Sequence, residues 1–398
     1  MGPSVNSHFS PQSKRHADAY ANEPRITVGI AASGRFHLLD LARELDALGV
    51  DIHFYSYVSR SRAASFGLPR RCHVALLPYL FPLVALERLL PRFFPHTVER
   101  LMCWMLDLLV IIRMRRCNIF ICMSGMYLLA ARFARWRYGA LIHLHRSSRH
   151  ILSQQKILEG LPNARQASDF MVRRELKGYA VADHIIVPSI HVSESFIRWP
   201  EYVSKLFLNP LGVDIEQFPR QKKTQPSEQP TVLFVGQWSY RKGVDVLVGA
   251  IRAMVGVRLI HVGPLADAPF PIDTQFVHYD HVSQKKLPEF YGLADVLALP
   301  SREDGFGVVL AQALSSGLQV VCTDRTGGPD LAKLPGFSRL IHVVPTDDPN
   351  GLHRALARAL SDALTVPPIT EFERQSLSWR CYAERDLAFM KVCLQMRQ

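Results

Sequence analysis

Short apolar runs and amphipathic stretches alternate along the chain. The first apolar run, residues 25–32, is followed by Ser33-Gly34 and then by apolar residues at helical spacing up to Gly49. A second apolar run follows at 51–57. This order of strand, glycine turn, helix and strand predicts the start of a parallel βαβ unit. Further strands are predicted at 118–123, 140–145 and 184–188.

The alternation restarts in the second half, after a polar stretch at 219–230 that has no periodicity and is typical of a linker. The pattern predicts strands at 231–235, 258–262, 295–300 and 318–323, and helices at 244–254, 284–293 and 308–316. We therefore predict an α/β protein with two doubly wound domains, at 25–205 and 206–375, and a final segment at 376–398. Parallel sheets bind ligands beyond the carboxyl ends of their strands, so the cleft between the domains is the predicted place for two substrates.

Residues 74–116 depart from this pattern, because apolar pairs there alternate with arginines. The longest apolar part is about a dozen residues broken by Asp107, too short for a membrane span of about 20 residues. Two interpretations stay open: a helix lying in the lipid headgroup layer, or a helix pair of the core with a solvated basic face. The arginines are Arg88, Arg92, Arg100, Arg113, Arg115 and Arg116.

Charge is unevenly placed along the chain, whose formal net charge is +12. Residues 1–200 hold 26 Lys/Arg against 14 Asp/Glu, whereas residues 201–398 hold 21 of each. An anionic partner of the first half is therefore one interpretation, and a basic surface that only keeps the chain soluble is the other. Nucleic acid is not the predicted partner, because aromatic residues do not interleave with these charges as a stacking groove requires. An anionic membrane surface or a pyrophosphate-bearing acceptor remains.

The cysteines and the N-terminus predict a cytoplasmic protein. The seven cysteines show no Cys-x-x-Cys pair and no neighbouring histidine cluster. That argues against structural zinc and against a disulfide framework, and it favours a reducing compartment. Residues 1–24 are polar with no apolar stretch, which predicts a disordered tail and no signal peptide.

A phosphate site is predicted where the strand at 231–235 ends. Gly236 follows that strand, and Arg241 and Lys242 come immediately before the next helix. Free backbone N–H groups at a helix start attract phosphate, and a lysine adds a full positive charge. A basic residue also falls at a helix start by chance, so the segment alone is weak support.

The strand at 295–300 leads into a second chemistry-bearing loop, which consists of Glu303, Asp304, Gly305, Phe306 and Gly307. Its glycines allow a ligand to approach the main chain closely, and a helix begins directly after them. Asp304 and Gln312 are eight residues apart, so both can face one ligand through its hydroxyl groups. The alternative is that Asp304 only caps the helix. A third glycine-rich turn, at 323–330, follows the next strand.

These segments resemble the donor domain of retaining glycosyltransferases of family four, whose GT-B fold has two Rossmann-like domains facing across a cleft. Gly236 and Lys242-Gly243 match the family's Gly-x5-Lys-Gly segment, which binds the donor diphosphate. Asp304 and Gln312 occupy the two ends of its Glu-x7-Glu motif, and 209–218 resemble its entry to the donor domain. The similarity runs over roughly residues 25–393 and is stronger in the second half.

The resemblance also covers parts of the first domain and the end of the chain. Arg146 to His150, with Gln154, resemble a segment near the acceptor side in a subgroup of relatives. His145 ends the strand at 140–145, where relatives carry a histidine that touches the donor sugar, although His143 lies on the same face and a strand-end histidine is more often plain packing. The segment at 376–398 resembles a closing helix that crosses back to the first domain.

Four positions depart from the family pattern. Gln237 stands where the family usually has an arginine, and Asp304 and Gln312 replace both glutamates of the motif. Gly34 is the one glycine of a loop in which relatives often have two. A glutamine still offers an acceptor and two donors to ribose hydroxyls, but it carries no charge.

The resemblance implies a retaining transfer that needs neither metal nor cofactor. The donor would be a UDP- or GDP-linked sugar, and the acceptor a saccharide or a lipid-linked molecule of cell-surface polysaccharide, lipopolysaccharide or glycolipid synthesis, on the inner face of the membrane. The implied catalytic residues are Lys242, Asp304 and His145. The implied donor-binding residues are Gly34, Gly236, Arg241, Lys242, Glu303, Asp304, Gly305, Phe306, Gly307 and Gln312, and the implied acceptor-side residues are Arg146 and His150. Alternatives are a GT-B epimerase or phosphorylase, a weakened transferase that only binds nucleotide, and, ranked below these, a nucleic-acid binder that uses the basic half.

Overall fold

The computed structural model describes residues 26–34, 36–79, 95–220 and 228–397. Within them the chain forms two α/β domains, each built on one parallel sheet. The predicted disordered tail at 1–24, residues 221–227 of the predicted linker, and Arg88 and Arg92 lie outside the described residues.

The first sheet has seven strands in the order β3-β2-β1-β4-β5-β6-β7, and every neighbouring pair is parallel. The strands are β1 (Thr27–Ala31), β2 (Asp51–Ser56), β3 (His73–Ala75), β4 (Ile119–Met123), β5 (Leu141–His145), β6 (His184–Val187) and β7 (Leu206–Leu208). The winding direction reverses between β1 and β4, so a crevice opens beyond the carboxyl ends of these two strands.

Helices cover both faces of this sheet. They are α1 (His37–Ala47), α2 (Arg60–Ser65), α3 (Pro95–Arg113), α4 (Leu128–Tyr138), α5 (Ile151–Glu159), α6 (Asp169–Val181), α7 (Ile190–Glu194) and α8 (Pro200–Val203). In α1 the apolar spacing works as predicted, because Leu38, Leu41 and Leu45 fall on one buried face. Asp107, which interrupts the apolar run of α3, is buried and paired with Arg174 of α6.

The second sheet has six parallel strands in the order β10-β9-β8-β11-β12-β13. The strands are β8 (Thr231–Val235), β9 (Arg258–Val262), β10 (Phe276–Tyr279), β11 (Val296–Leu299), β12 (Gln319–Thr323) and β13 (Ile341–Val344). The helices are α9 (Val244–Arg252), α10 (Leu287–Leu293), α11 (Val308–Ser315), α12 (Gly328–Ala332), α13 (Pro349–Thr365) and α14 (Glu371–Gln375). Both sheets thus share one strand order, and the second one opens its crevice between β8 and β11.

The last helix, α15 (Trp379–Gln395), leaves the second domain and packs on α1 of the first. Tyr382 and Met390 of this helix are buried in one apolar cluster with residues of β1 and α1. Phe389 of the same helix stacks on Phe207 of β7, with ring centroids 3.8 Å apart. The first domain is therefore completed by the end of the chain.

The predicted central strands all exist, within two residues of their predicted ends. The pattern missed β3, β7, β10 and β13, which are short and lie at or near the sheet edges, where partial exposure weakens the apolar signal. Because β7 pairs with β6, the first sheet also extends past residue 205, where the sequence placed the end of the first domain.

Candidate active site

The loops after β8 and β11 meet at the carboxyl edge of the second sheet. After β8, Gly236 adopts a φ of +138°, and the space where a Cβ would stand is open. The chain then makes a tight turn, Tyr240–Lys242, that ends at Gly243 (φ +69°). A side chain at Gly243 would collide with the carbonyl of Pro300, the residue after β11, so glycine is required for the two loops to pack.

Four of the predicted donor-site residues form two ion pairs in these loops. Lys242 contacts Asp304, and the Nη1 of Arg241 lies 3.2 Å from Oε2 of Glu303. Burial alone would raise the pKa of Asp304, but the ammonium of Lys242, the guanidinium of Arg241 and the backbone N–H of Phe306 together lower it below its ordinary value. Asp304 is therefore a carboxylate at neutral pH, and it balances the charge of Lys242.

Glu303 and Gly305 also bind the second domain to the first. The Nε2 of Gln154 donates to Oε2 of Glu303 at 3.2 Å, and the Oγ of Ser189 donates to the carbonyl of Gly305 at 2.6 Å. A Cβ on Gly305 would overlap the carbonyl of Ser147, so the two main chains touch here. The predicted donor loop is thus also the contact between the domains.

Asp330, at the third glycine-rich turn, makes another contact between the domains. Its Oδ1 accepts a hydrogen bond from the backbone N–H of Ile190 at 3.0 Å. Burial raises the pKa of Asp330 to about 6, which the hydrogen bond from Ile190 offsets only in part. This carboxyl group therefore changes its charge near neutral pH.

Two of the predicted donor-binding residues have side chains that are largely buried. The side chain of Phe306 is buried in the core of the second domain, so it does not face the cleft, and a role of this residue in donor binding through its main chain stays a prediction. The side chain of Gln312 is largely buried, and its Oε1 accepts a hydrogen bond from Tyr291 at 2.8 Å. Gly307 (φ +75°) supplies the left-handed turn that starts α11, a position that favours glycine.

His145 lies at the carboxyl end of β5, where it was predicted, but its described partners come from elsewhere. The Nδ1 of His145 is 3.1 Å from Nε2 of His37, at the start of α1, and 3.4 Å from the hydroxyl of Tyr382. Burial lowers the pKa of His37 to about 4, and burial with the neighbouring imidazoles of His37 and His143 lowers the pKa of His145 well below its ordinary value. Both rings are therefore neutral near pH 7, and one can donate to the other. Gly34 lies between β1 and His37, and an added Cβ there would meet only ordinary contacts.

On the first-domain side, Arg146 is held rigidly. Its Nη1 lies 2.5 Å from Oε1 of Glu175, in a buried ion pair, and its Nη2 donates to Oε1 of Gln154 at 2.9 Å. The sequence pattern did not indicate Glu175, because this residue lies inside α6 and not at the end of a strand. His150 does not reach the cleft, and its prediction as an acceptor-side residue is wrong: it is 0% exposed and stacks on Trp199, with ring centroids 3.5 Å apart.

A cleft of about 1350 Å³ runs between the two domains. The first domain lines it with Arg146, Ser148 and Gln154, and the second lines it with Gln237, Ser239 and Arg241. Pockets for one small ligand usually measure roughly 300–1,000 Å³, so this cleft has room for two substrates. Its walls combine charged and polar side chains of both signs with apolar ones such as Ile151, Leu158 and Met171.

Two family models match the chain and together span most of it. Residues 35–217 match the model described as Glycosyltransferase Family 4, and residues 229–362 match Glycosyl transferases group 1. The chain is 27% identical over 201 residues to a D-inositol 3-phosphate glycosyltransferase of Xylanimonas cellulosilytica, covering 44% of this chain and 45% of that protein. It is 30% identical over 167 residues to a GDP-mannose-dependent alpha-mannosyltransferase of Mycobacterium tuberculosis, covering 38% and 42%. The matched segments thus span less than half the length of these relatives.

Solved structures agree on the fold. Sucrose-phosphate synthase of Thermosynechococcus elongatus superposes with a TM-score of 0.66 at 15% identity, covering 94% of this chain and 100% of that one. HepE of Anabaena, in complex with UDP-glucose, superposes with a TM-score of 0.63 at 14% identity, covering 92% and 100%. The two parallel sheets, the shared strand order and the family models lead to one conclusion. The chain belongs to the family-four glycosyltransferases and has the GT-B fold.

Proposed function

We propose that this glycosyltransferase moves a sugar, with retention of anomeric configuration and without a metal ion, from a nucleotide diphosphate to a saccharide or lipid-linked acceptor. The observation that carries the proposal is the position of Lys242 and Arg241. Both lie on the carboxyl edge of the second sheet, in the loop that begins at Gly236, where the space for a Cβ is open. Two cations, a helix start and a glycine together form a site for a diphosphate.

The donor proposed is a UDP- or GDP-linked sugar. Its diphosphate would lie along Gly236 and the turn Tyr240–Lys242. There a phosphate group would replace Asp304 as the ionic partner of Lys242. HepE, which shares the fold, is described in complex with UDP-glucose, and the mycobacterial relative is GDP-mannose-dependent. Both nucleotides therefore belong in the first assay.

The chemistry proposed for the site is stabilisation of the leaving group. Cleavage of the anomeric bond puts negative charge on the diphosphate, and preorganised cations lower that barrier most effectively in a site with little water. The acceptor hydroxyl would attack from the face that the diphosphate leaves, and a phosphate oxygen would take its proton. Asp304 and Glu303 are each paired with a cation in the free protein, so they do not offer an open carboxylate pair to a divalent metal.

The acceptor would enter from the first-domain side of the cleft. Arg146 and Gln154 form part of that wall, and their mutual hydrogen bond fixes both side chains. Fixed polar groups suit the recognition of sugar hydroxyls, because little rotamer entropy is lost when the ligand binds. A saccharide, free or lipid-linked, would then lie opposite the donor phosphates.

The surface of α3 supports a location at the inner face of the membrane. This helix buries one face, and its other face exposes apolar side chains at helical spacing, with Trp104 57% and Ile112 65% exposed. The exposed stripe consists of Leu101, Trp104, Leu108 and Ile112, and Arg100 and Arg113 flank it. Such a stripe beside cations suits the headgroup layer of an anionic membrane. None of the helices in the described part of the chain is long and apolar enough to cross a bilayer.

The test is mass spectrometry of products after incubation with a panel of UDP- and GDP-sugars and a membrane lipid extract. The Lys242→Ala variant is the negative control. Proton NMR of the product determines its anomeric configuration. We expect a glycosylated acceptor with the donor's configuration, formed equally well in the presence of EDTA. An isomerised nucleotide sugar would identify an epimerase, and a sugar 1-phosphate would identify a phosphorylase. Tight nucleotide binding without any product would identify a weakened transferase.

A further inference from the structure

Beneath α15, three side chains converge that the mechanism does not use. They are His143 of β5, His184 of β6 and Cys393 of α15. Each offers one ligand atom, and these atoms all lie within 4.8 Å of one another. Two imidazoles and a thiol are a ligand set that Zn²⁺ prefers.

The topology assembles this cluster from distant parts of the sequence. His143 and His184 are register partners on the parallel strands β5 and β6, and their rings lie edge to face with centroids 5.2 Å apart. The last turns of α15 cover the same face, where Phe389 contacts both rings. Because the three residues are far apart in the chain, they form no short Cys/His motif. For that reason the sequence pattern favoured a protein without structural zinc.

His143 lacks the partners that a buried histidine normally has. Its side chain is fully buried, and neither ring nitrogen has a hydrogen-bond partner among the described residues. Buried ring nitrogens are nearly always satisfied, by protein, water or metal. A metal ion bound to the ring nitrogen that faces Cys393 would give that nitrogen the partner it lacks.

We propose that His143, His184 and Cys393 bind one Zn²⁺ and that this ion fastens α15 to the first domain. Zinc–ligand bonds of about 2.0–2.3 Å put neighbouring ligand atoms about 3.5 Å apart, so the three side chains close in by roughly an ångström. The thiol loses its proton to solvent as the Zn–S bond forms. His184 is only partly buried, which gives the ion a path from solvent. A water from that side would be the fourth ligand.

The experiment uses the full-length protein, stripped with a chelator and then titrated with Co²⁺ and with Zn²⁺. We expect a thiolate-to-cobalt charge-transfer band and the visible absorption of tetrahedral Co²⁺, both displaced by about one equivalent of Zn²⁺. Zinc in excess should raise Tm by roughly 5 °C. Cys393→Ser should abolish the charge-transfer band and weaken Zn²⁺ binding at least about 100-fold.

Cys381→Ser is the matched control, because Cys381 lies on the same helix and outside the cluster. His184→Asn is a second test at the accessible edge, and it should weaken Zn²⁺ binding while circular dichroism shows an intact fold. The proposal fails if the parent shows no thiolate band at saturating Co²⁺. It fails equally if Cys393→Ser and His184→Asn bind both metals as the parent does.

Discussion

The ammonium of Lys242 lies against the carboxylate of Asp304, and both side chains are largely shielded from water, at 12% and 17% exposed. The pair neutralises the strongest candidate cation of the donor site while no donor is bound. A diphosphate must therefore compete with Asp304, and its second negative charge gives it the advantage. The same contact keeps Lys242 extended toward the loop after β11, so little ordering remains to be done when the donor arrives.

Replacing Lys242 with alanine should cost about 2–4 kcal/mol in the transition state, or roughly 10²–10³ in rate, because it removes a fixed cation from the leaving group. Steady-state transfer assays measure this effect. Lys286→Ala, an exposed lysine of the same domain, should remain at parental activity. Activity of Lys242→Ala within about threefold of the parent would remove Lys242 from the site.

Replacing Gly305 with alanine should separate the two domains at the donor loop, because the new Cβ would overlap the carbonyl of Ser147. We expect a loss of about 1–3 kcal/mol in the free energy of unfolding and a large drop in transfer. Urea unfolding and the transfer assay give the two numbers. Gly249→Ala is the control, because a Cβ there meets no atom within 4 Å and the site is inside α9. Equal behaviour of the two variants would mean that this contact is dispensable.

Asp330→Asn should stabilise the protein at pH 7 and leave it unchanged at acid pH. In the unfolded chain the carboxyl group ionises near its ordinary pKa of 3.8, whereas in the folded protein burial raises the pKa to about 6. Below pH 3.8 both states hold the proton. Between these two pH values the unfolded state releases the proton while the folded state still holds it. The free energy of unfolding of the parent protein therefore falls as pH rises.

At pH 7 this loss of stability amounts to at most about 3 kcal/mol. Asparagine does not ionise and so avoids the loss, while its Oδ1 can still accept the hydrogen bond from the N–H of Ile190. Unfolding midpoints of parent and Asp330→Asn at pH 4, 5, 6 and 7 check the prediction. A difference between the two proteins that does not vary with pH would contradict it.

Gln312→Glu restores the residue usual in the family, and nucleotide affinity should be kept or improved. A carboxylate accepts hydrogen bonds from ribose or from Tyr291 at least as well as an amide does, and the charge-assisted bond is the stronger. Isothermal titration with UDP and GDP measures the change, with the exposed Gln375→Glu as control. Severe loss of nucleotide binding would show that α11 faces something other than ribose.

Binding to vesicles that contain anionic lipid should be reversible, salt-sensitive and dependent on α3. Trp104→Ser with Leu108→Ser should weaken binding at least about tenfold, because two apolar side chains no longer enter the interface. Arg100→Glu should remove much of the salt dependence, at about 1 kcal/mol per charge. Phe372→Ser, an 88% exposed aromatic of the second domain, is the flotation control. A parent protein that stays with the soluble fraction at low salt would refute the membrane proposal.

The sequence could predict the strand ends of this fold because glycines and charges follow each central strand. It located Gly236, Lys242 and Asp304 correctly at one sheet edge, since parallel strands end together. It could not find His37 or Glu175, because each becomes part of the site only through packing across a distance in the chain.

Phe306 and His150 show what a motif does not reveal. Both stand within motif segments, yet their side chains point into the interior. A motif gives the residue type and the loop, whereas the direction of each side chain depends on the neighbouring elements. For His150 those neighbours are aromatic rings of α6 and α8 and of the segment between α7 and α8, none of which a local pattern identifies.

The return of α15 to the first domain also sets the order in which the protein matures on the ribosome. The first sheet is fully synthesised at Leu208, but the helix that covers its α1 face begins only at Trp379, about 170 residues later. At a translation rate of roughly 5–20 residues per second, that apolar face stays exposed for some 10–30 s before α15 is synthesised. The second domain, complete in itself, has emerged by then. The domain made first is thus the last to finish folding, and any nascent chain that stops short of α15 presents an open hydrophobic face to the chaperones of the cell.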